Sequence, residues 1–260
     1  MSTSARTPLI LISNDDGITA PGIATLVRIM RRIGEVVVVA PNSPQSGMGH
    51  AITIGTSLRL DASTIFEGIE AYECSGTPAD CVKLAKHHVL KDRAPDLVVS
   101  GINHGSNSSI SILYSGTMSA AIEAAIEGIP AIGFSLGDFT RQPDFSHTHD
   151  HILSIARSVL ERGMARGTAL NVNFPARAAE PLKGIRICRQ ANAKWQEEFD
   201  ERRDPHGRRY FWLAGDFVNF DAHAEDTDEY ALAQNYTSVV PCQYDLTAYG
   251  MMEELRDWKL

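Results

Sequence analysis

The first half of the chain alternates short, mostly apolar segments with segments of helical periodicity, and few folds accept that pattern. Three segments contain runs of consecutive apolar residues, which predicts strands buried on both faces. They are Leu9–Ser13, Glu35–Ala40 and Asp96–Ser100. Pro21–Arg32, between the first two, repeats its apolar residues at helical spacing. Strands of this kind, separated by helices, form a parallel sheet with helices on both faces. The sequence therefore predicts an α/β fold.

Further predicted elements continue this alternation. Thr77 and Pro78 are residue types that favour a helix cap and a first helical position. The helix predicted at Thr117–Glu127 is rich in alanine, so a neighbouring element should pack closely against it. The remaining predictions are a hairpin of Ser57–Leu60 with Ile69–Cys74, a helix from Pro78 to about Leu90, a strand at Pro130–Ser135 and a helix at Asp150–Glu161.

The second half changes character after two predicted strands, Asn171–Phe174 and Gly184–Cys188. We interpret residues 1–189 as the core and residues 190–260 as a C-terminal arm. The arm would comprise a hairpin or extended segment, a strand at Thr237–Val240 and a helix at Met251–Leu260. Because exposed aromatic patches mark interfaces, we expect the arm to mediate oligomerisation. Its first part carries Trp195, Phe199, Tyr210, Phe211, Trp212, Phe217 and Phe220.

Charge and hydropathy narrow the classes of function. The chain has 24 Lys and Arg against 32 Asp and Glu, a net charge of −8, whereas a nucleic-acid-binding protein needs a basic face. The longest apolar run, Ala120–Ile126, contains Glu123 and is far below the roughly 20 residues of a membrane span. Residues Met1–Pro8 begin no signal-peptide pattern. We therefore expect a cytoplasmic protein that binds neither nucleic acid nor membrane.

The first candidate site is the segment Asn14–Gly17, directly after the first predicted strand. Ligands of open α/β sheets bind beyond the carboxyl ends of the strands. The adjacent carboxylates of Asp15 and Asp16 repel each other, and a divalent cation would relieve that repulsion. Oxygen ligands favour Mg²⁺ or Mn²⁺ over zinc. The alternative is a solvated acidic turn. No GxGxxG motif follows this strand, which argues against a dinucleotide site.

Two further loops follow predicted strands and should reach the same edge. Pro41–His50 contains Ser46 and two glycines that permit close approach of a ligand, although alone it also fits a plain surface loop. Ser100–Thr117 is long, polar and followed by the alanine-rich helix, whose free N–H groups favour an anion. Thr117 is either a helix cap or part of that anion site. Together the loops indicate a site for a metal ion and a phosphate.

The motifs in these loops resemble those of the SurE family, the stationary-phase survival nucleotidases. The resemblance covers nearly the whole chain, with weaker matches at Asn171–Asn173 and Thr227–Asp228. His104 and Ser106 depart from the residues that many members have there. The matching segments are Ile12–Gly17 with Pro21 and Gly22, Ala40 and Pro41 with Ser46 and Gly47, Ser75–Cys81, Ser100–Asn103 with Gly105 and Asn107, and Tyr114–Thr117.

The resemblance implies a Rossmann-like three-layer core and a C-terminal arm used in homodimers or homotetramers. It implies a hydrolase that depends on one divalent metal ion per subunit, magnesium or manganese, and releases phosphate from nucleoside monophosphates. This is a 5′-nucleotidase activity, with 3′-nucleotidase and exopolyphosphatase activities left open. The implied metal ligands are Asp15, Asp16, Ser46 and Asn103. The implied phosphate-binding residues are Asn107, Ser115, Gly116 and Thr117, and the implied catalytic residues are Asp15, Asp16 and Asn107.

In the expected mechanism, the cation neutralises phosphate charge and activates a water for in-line attack. Asn107 and the backbone at Ser115–Thr117 stabilise the developing charge. We expect Gly116 to matter through close approach of the backbone to phosphate, and we expect substitution there to leave metal affinity unchanged.

The rival hypothesis is a non-enzymatic, magnesium-binding phosphoryl switch like bacterial receiver domains, which also place an acidic pair after the first strand. A receiver needs an acceptor Asp at the end of a middle strand and a Lys at the end of a later one. Here the corresponding strands end in Ser100 and Ser135, and no Lys follows either of them. The sequence therefore favours the enzyme.

Overall fold

A computed structural model describes residues 6–140, 142–176 and 180–258. Nine strands form one sheet in the order β3-β4-β2-β1-β5-β6-β7-β11-β8, and two more form a separate hairpin. The strands are β1 (Leu9–Ser13), β2 (Glu35–Pro41), β3 (Leu60–Ala62), β4 (Glu70–Cys74), β5 (Leu97–His104), β6 (Ala131–Gly137), β7 (Thr168–Pro175), β8 (Ile185–Ile187), β9 (Ala193–Arg203), β10 (Arg209–Asn219) and β11 (Thr237–Gln243). The helices are α1 (Pro21–Met30), α2 (Pro78–Leu84), α3 (Gly116–Ile126), α4 (His149–Arg162), α5 (Asp228–Ala233) and α6 (Tyr249–Arg256).

The predicted α/β fold is confirmed: the sheet is mostly parallel and helices flank it. The strand β3 is antiparallel to β4, and β11 is antiparallel to β7 but parallel to β8. The described part of the chain has no helix that is both long enough and apolar enough to cross a membrane.

Two apolar clusters, one on each face of the sheet, explain why the central strands are continuously apolar. Alternate residues of a strand point to opposite faces. Ile10 and Ile12 of β1 therefore pack in the cluster that holds α1 and α4, whereas Leu9 and Leu11 pack in the cluster that holds α2 and α3. All four side chains are at most 3% exposed. Both layers fix β1, and with it the loop that follows.

Several element boundaries differ from the predicted ones, and the differences lie mostly near the candidate site. The strand β5 continues past Ser100 to His104, and α3 begins at Gly116, one residue before the predicted start. The first strand of the predicted hairpin is Leu60–Ala62 and lies slightly later than expected. Thr77 caps α2 in a reciprocal arrangement with Asp80, as its residue type predicts.

The segment from 190 onward contains the predicted hairpin, strand and terminal helix. The strands β9 and β10 pair over eleven positions and are almost entirely exposed. The strand β11 inserts between β7 and β8 of the main sheet. The sequence missed the short helix α5. Residues Met1–Ala5, and Lys259 and Leu260 at the end of the predicted terminal helix, lie outside the described residues.

Candidate active site

The acidic pair lies where the sheet brings three loops together. Ser13, the last residue of β1, is in register with Ser100 of β5, so the loop after β1 begins beside the last part of β5, residues 101–104. The backbone N–H of His104 donates to Asp16 Oδ2 over 3.2 Å. The hydroxyl of Thr117 donates to Asp15 Oδ1. Asp16 is therefore held by the last residue of β5, and Asp15 by the helix α3.

Burial makes the charged form of both carboxylates costly. Asp15 is 4% exposed. Its pKa is raised to about 6, mainly by burial and further by the neighbouring charge of Asp16, although hydrogen bonds from Thr117 oppose the rise. Burial also raises the pKa of Asp16, and the His104 N–H opposes that rise. A cation between the two carboxylates would offset both the cost of burying their charges and the repulsion between them.

The start of α3 lies directly against Asp15. The Ser115 hydroxyl accepts from the Met118 N–H at 3.0 Å and caps the helix. Thr117 is therefore not the cap: its hydroxyl holds the Asp15 carboxylate. A Cβ on Gly116 would lie 2.6 Å from Asp15 Cβ and 3.0 Å from Oδ2. We therefore replace the expectation that substitution of Gly116 spares metal affinity by the opposite prediction, because this glycine makes room for Asp15 itself.

The loop that carries Ser46 is fixed at several points beside the acidic pair. The Gln45 N–H donates to the Asp15 carbonyl over 2.7 Å, and the Gly49 N–H donates to the Tyr114 carbonyl over 3.2 Å. His50 Nε2 is 2.9 Å from the Glu123 carboxylate, which also binds Lys83 at 2.6 Å. Hydrogen bonds and charges from these two partners lower the pKa of Glu123, against the effect of its burial. Ser46 is exposed within this anchored loop.

The donor set fits a hard divalent cation. Asn103 donates its Nδ2 to the Gly105 carbonyl over 2.8 Å, which leaves Oδ1 as its free acceptor. The side-chain oxygen of Asn14, which is 1% exposed, has no hydrogen-bond partner. Within the ranges that the structure describes, no three His, Cys, Asp or Glu side chains gather as a metal site. Carboxylate, hydroxyl and amide oxygens are the ligands that Mg²⁺ and Mn²⁺ prefer.

Asn107 lies farther along the edge and is held by β6 and β7. Its Nδ2 donates to Ser135 Oγ over 2.7 Å, and its backbone N–H donates to Asn173 Oδ1 over 2.8 Å. Its carbonyl accepts from Asn171 Nδ2 over 2.8 Å, and Asn173 in turn donates to Asn171 over 2.9 Å. An amide carries two N–H donors, so Asn107 Nδ2 keeps a second hydrogen besides the one that it donates to Ser135.

The helix α5 is hydrogen-bonded to the same loop. Asp228, which is fully buried, accepts from the backbone N–H groups of Ser109 and Ala191 at 2.8 and 2.9 Å. Glu229 accepts from the Ser108 hydroxyl. Burial raises the pKa of Asp228 while these N–H groups lower it. The helix α5 thus helps to position the loop that contains Asn107.

Four residues of these networks had no role predicted from the sequence: Asn171, Asn173, Asp228 and Glu123. The two asparagines stand two positions apart on a strand, so they share one face. That spacing inside an otherwise buried strand was the available signal, because a polar side chain at such a position needs a hydrogen-bond partner.

Replacement of Asn173 by Ala is expected to damage both the fold and the site. The Asn107 N–H would lose its acceptor, and an unsatisfied buried donor costs about 1–3 kcal/mol. We expect a lower melting temperature and a higher KM for a phosphate monoester. Asn192→Ala, at an exposed position, is the control and should change neither. A wild-type KM in Asn173→Ala would contradict the role given to this network.

The fold and this edge define the chain as an α/β protein with an adjacent acidic pair, of which the buried Asp15 contacts the start of a helix. Residues 10–197 match the family model described as survival protein SurE. The chain belongs to the SurE family.

Individual relatives agree over almost the full length. The 5′-nucleotidase SurE of Cytophaga hutchinsonii is 70% identical over 253 residues, covering 97% of each chain. That of Christiangramia forsetii is 58% identical over 257 residues, covering 98% of each. The crystal structure of the SurE protein from Aquifex aeolicus superimposes with a TM-score of 0.82 at 39% identity, covering 96% of this chain and 98% of that one. These similarities confirm the family resemblance and do not favour the phosphoryl switch.

Proposed function

We propose that this protein is a metal-dependent 5′-nucleotidase, which hydrolyses nucleoside monophosphates to nucleoside and phosphate. The observation that carries the proposal is the adjacent acidic pair, in which Asp15 is held against the start of α3 and Asp16 by the end of β5. The names of the similar proteins given above support it. Asp15, Asp16, Ser46 and Asn103 are the proposed ligands of one magnesium or manganese ion.

The chain's own residues bind and orient the phosphate. We assign phosphate binding to Asn107 and to the segment Ser115–Thr117, where the positive end of the α3 dipole favours an anion. The hydroxyls of Ser115 and Thr117 already bond to Met118 and Asp15, and the Ser115 N–H donates to the Ile112 carbonyl. The backbone N–H groups of Gly116 and Thr117 are therefore the main phosphate contact in our proposal. A divalent cation, when bound, would neutralise phosphate charge and make a water nucleophilic. Asn107 then stabilises charge that develops on the phosphate oxygens.

A panel of phosphate-release assays tests the proposed function. The substrates are nucleoside 5′- and 3′-monophosphates, sugar phosphates and polyphosphate, each with Mg²⁺, with Mn²⁺ or with a chelator. We expect release from nucleoside 5′-monophosphates that requires the metal and stops with the chelator. Release that persists in the chelator, or no release from any nucleotide, would refute the proposal.

We also propose that residues 190–260 act as an oligomerisation arm on a core of residues 1–189, in a cytoplasmic homodimer or homotetramer. Support comes from the β9–β10 hairpin, which exposes Phe199 and Phe211 at 69% and 54%. Light scattering of the full chain at micromolar concentration should report an oligomer. Phe199→Asp should shift it towards the monomer, whereas Asp61→Asn, on exposed β3, should not. A monomeric full-length chain would contradict this assignment.

A further inference from the structure

A cavity of about 560 Å³ lies between the active-site loops and the β9–β10 hairpin. Gly47 and Tyr114 line it from the core, and Trp195, Glu197 and Leu213 line it from the hairpin. The volume is within the range of small-molecule sites, about 300–1,000 Å³. It is therefore large enough for a group of nucleoside size.

The cavity is continuous with both loops of the proposed active site. Gly47 directly follows Ser46, a proposed metal ligand, and Tyr114 directly precedes Ser115, the cap of α3. The Gly49 N–H donates to the Tyr114 carbonyl over 3.2 Å, which links the two loops. A phosphate at the start of α3 would thus hold whatever group it carries next to this cavity.

The lining has the chemistry that recognises a nucleobase. Tyr114 and Trp195 are 56% and 46% exposed, so their rings are accessible to a ligand. The Trp195 ring is held by an edge contact with Phe217, with ring centroids 5.5 Å apart. Exposed aromatic rings stack on any of the bases, because every base has a π-face.

Glu197 is the charged side chain among the described residues that line the cavity. Its carboxylate would repel a second phosphate group but accept hydrogen bonds from ribose hydroxyls or base N–H groups. The uncharged end of a nucleoside monophosphate fits this lining better than the phosphate chain of a di- or triphosphate does.

We infer that this cavity is the nucleoside subsite, in which the base stacks on Tyr114 and Trp195 while the phosphate lies at the start of α3. The inference rests on the proposed nucleotidase function. Because stacking tolerates every base, the subsite distinguishes nucleotides from other phosphate esters more than it distinguishes one base from another.

The test compares adenosine 5′-monophosphate with ribose 5-phosphate, which share the sugar phosphate and differ in the base. Wild type should prefer the nucleotide. Trp195→Ala and Tyr114→Ala should each lower the ratio of the two kcat/KM values at least about tenfold, mainly through KM for the nucleotide. Trp195→Phe should retain the ratio. Trp212→Ala is the matched control, since Trp212 is exposed on the same hairpin outside the cavity, and it should keep the wild-type ratio.

Calorimetric binding of adenosine, which carries no phosphate, separates this inference from the proposed function. Binding by wild type that is lost in Trp195→Ala supports the subsite, even if no phosphate is released. A wild-type kcat/KM ratio in Trp195→Ala, with light scattering unchanged, would overturn the subsite and leave the nucleotidase proposal standing. Adenosine affinity that is equal in the two proteins would overturn it as well.

Discussion

Asp15→Asn and Asp16→Asn are each expected to lower metal-dependent phosphate release by at least about a thousandfold, equivalent to about 4 kcal/mol of activation free energy. Each change removes one of two adjacent carboxylates that would neutralise the cation, and metal affinity should fall with turnover. Steady-state phosphate release and a calorimetric Mn²⁺ titration measure the two effects. Asp61→Asn, on exposed β3, is the control and should match wild type.

Neither substitution should unfold the protein, and the metal-free stability of wild type should fall with rising pH through a titration that Asp15→Asn lacks. The pKa of Asp15 rises from 3.8 to about 6 on folding, so between these values the folded state binds more protons than the unfolded state. Stability from this group is therefore greatest at low pH and is lost as pH rises, by up to about 3 kcal/mol. Asparagine does not titrate and can still accept from Thr117.

Thermal melts in chelator at pH 5 and pH 7 measure that difference. Wild type should lose more stability than Asp15→Asn between the two pH values. Near-wild-type turnover with intact metal binding in Asp16→Asn would contradict the site assignment. An equal loss of stability in the two proteins would contradict the burial of an uncompensated Asp15.

Gly116→Val is expected to lower turnover at least about tenfold, an added barrier of about 1.4 kcal/mol or more, and to weaken metal binding as well. A Cβ at this position would lie 2.6 Å from Asp15 Cβ, closer than such atoms can approach, so the carboxylate must move. Thr117→Ser, in contrast, keeps the hydroxyl that holds Asp15 and should be mild. Phosphate release and Mn²⁺ titration are measured on the same preparations.

The matched control is Gly55→Val, because a Cβ on Gly55 meets nothing within 4 Å. It should retain both turnover and metal affinity. If Gly116→Val loses turnover but binds metal as tightly as wild type, the contact with Asp15 does not govern the site. If it retains both properties, the start of α3 has no part in catalysis.

The sequence predicted the layers of the fold because their signals are local. The apolar residues of β1 and β2 follow one another directly, because these strands pack against an apolar cluster on each face of the sheet. The apolar residues of α1 repeat at helical spacing within a similarly short segment. The loop position of Asp15 and Asp16 follows from the same pattern, since ligand sites lie where parallel strands end.

Side-chain partners that are distant in sequence could not be predicted in this way. Thr117 and Asp15 lie 102 positions apart, and only the packed sheet brings them together. Asn173 meets Asn107 for the same reason. From its neighbours in sequence, Thr117 was predicted to be either a helix cap or part of the phosphate site. Its hydrogen bond to Asp15 was therefore not predicted.

The chain end was harder to predict for two further reasons. Both faces of the β9–β10 hairpin are largely exposed, so its strands lack the alternation of apolar and polar residues that indicates a half-buried strand. The helix α5 has only six residues, too few for a helical period to appear. The position of β11 between β7 and β8 depends on tertiary packing, which no local sequence pattern specifies.

The most direct test of the metal and phosphate assignment is the anomalous difference density of a crystal grown with Mn²⁺ and inorganic phosphate. The account predicts one strong peak per subunit, in contact with Asp15, Asp16, Ser46 and Asn103, and a phosphate between that peak and the start of α3. A manganese peak held by other residues, with no density beside Asp15 and Asp16, would contradict it.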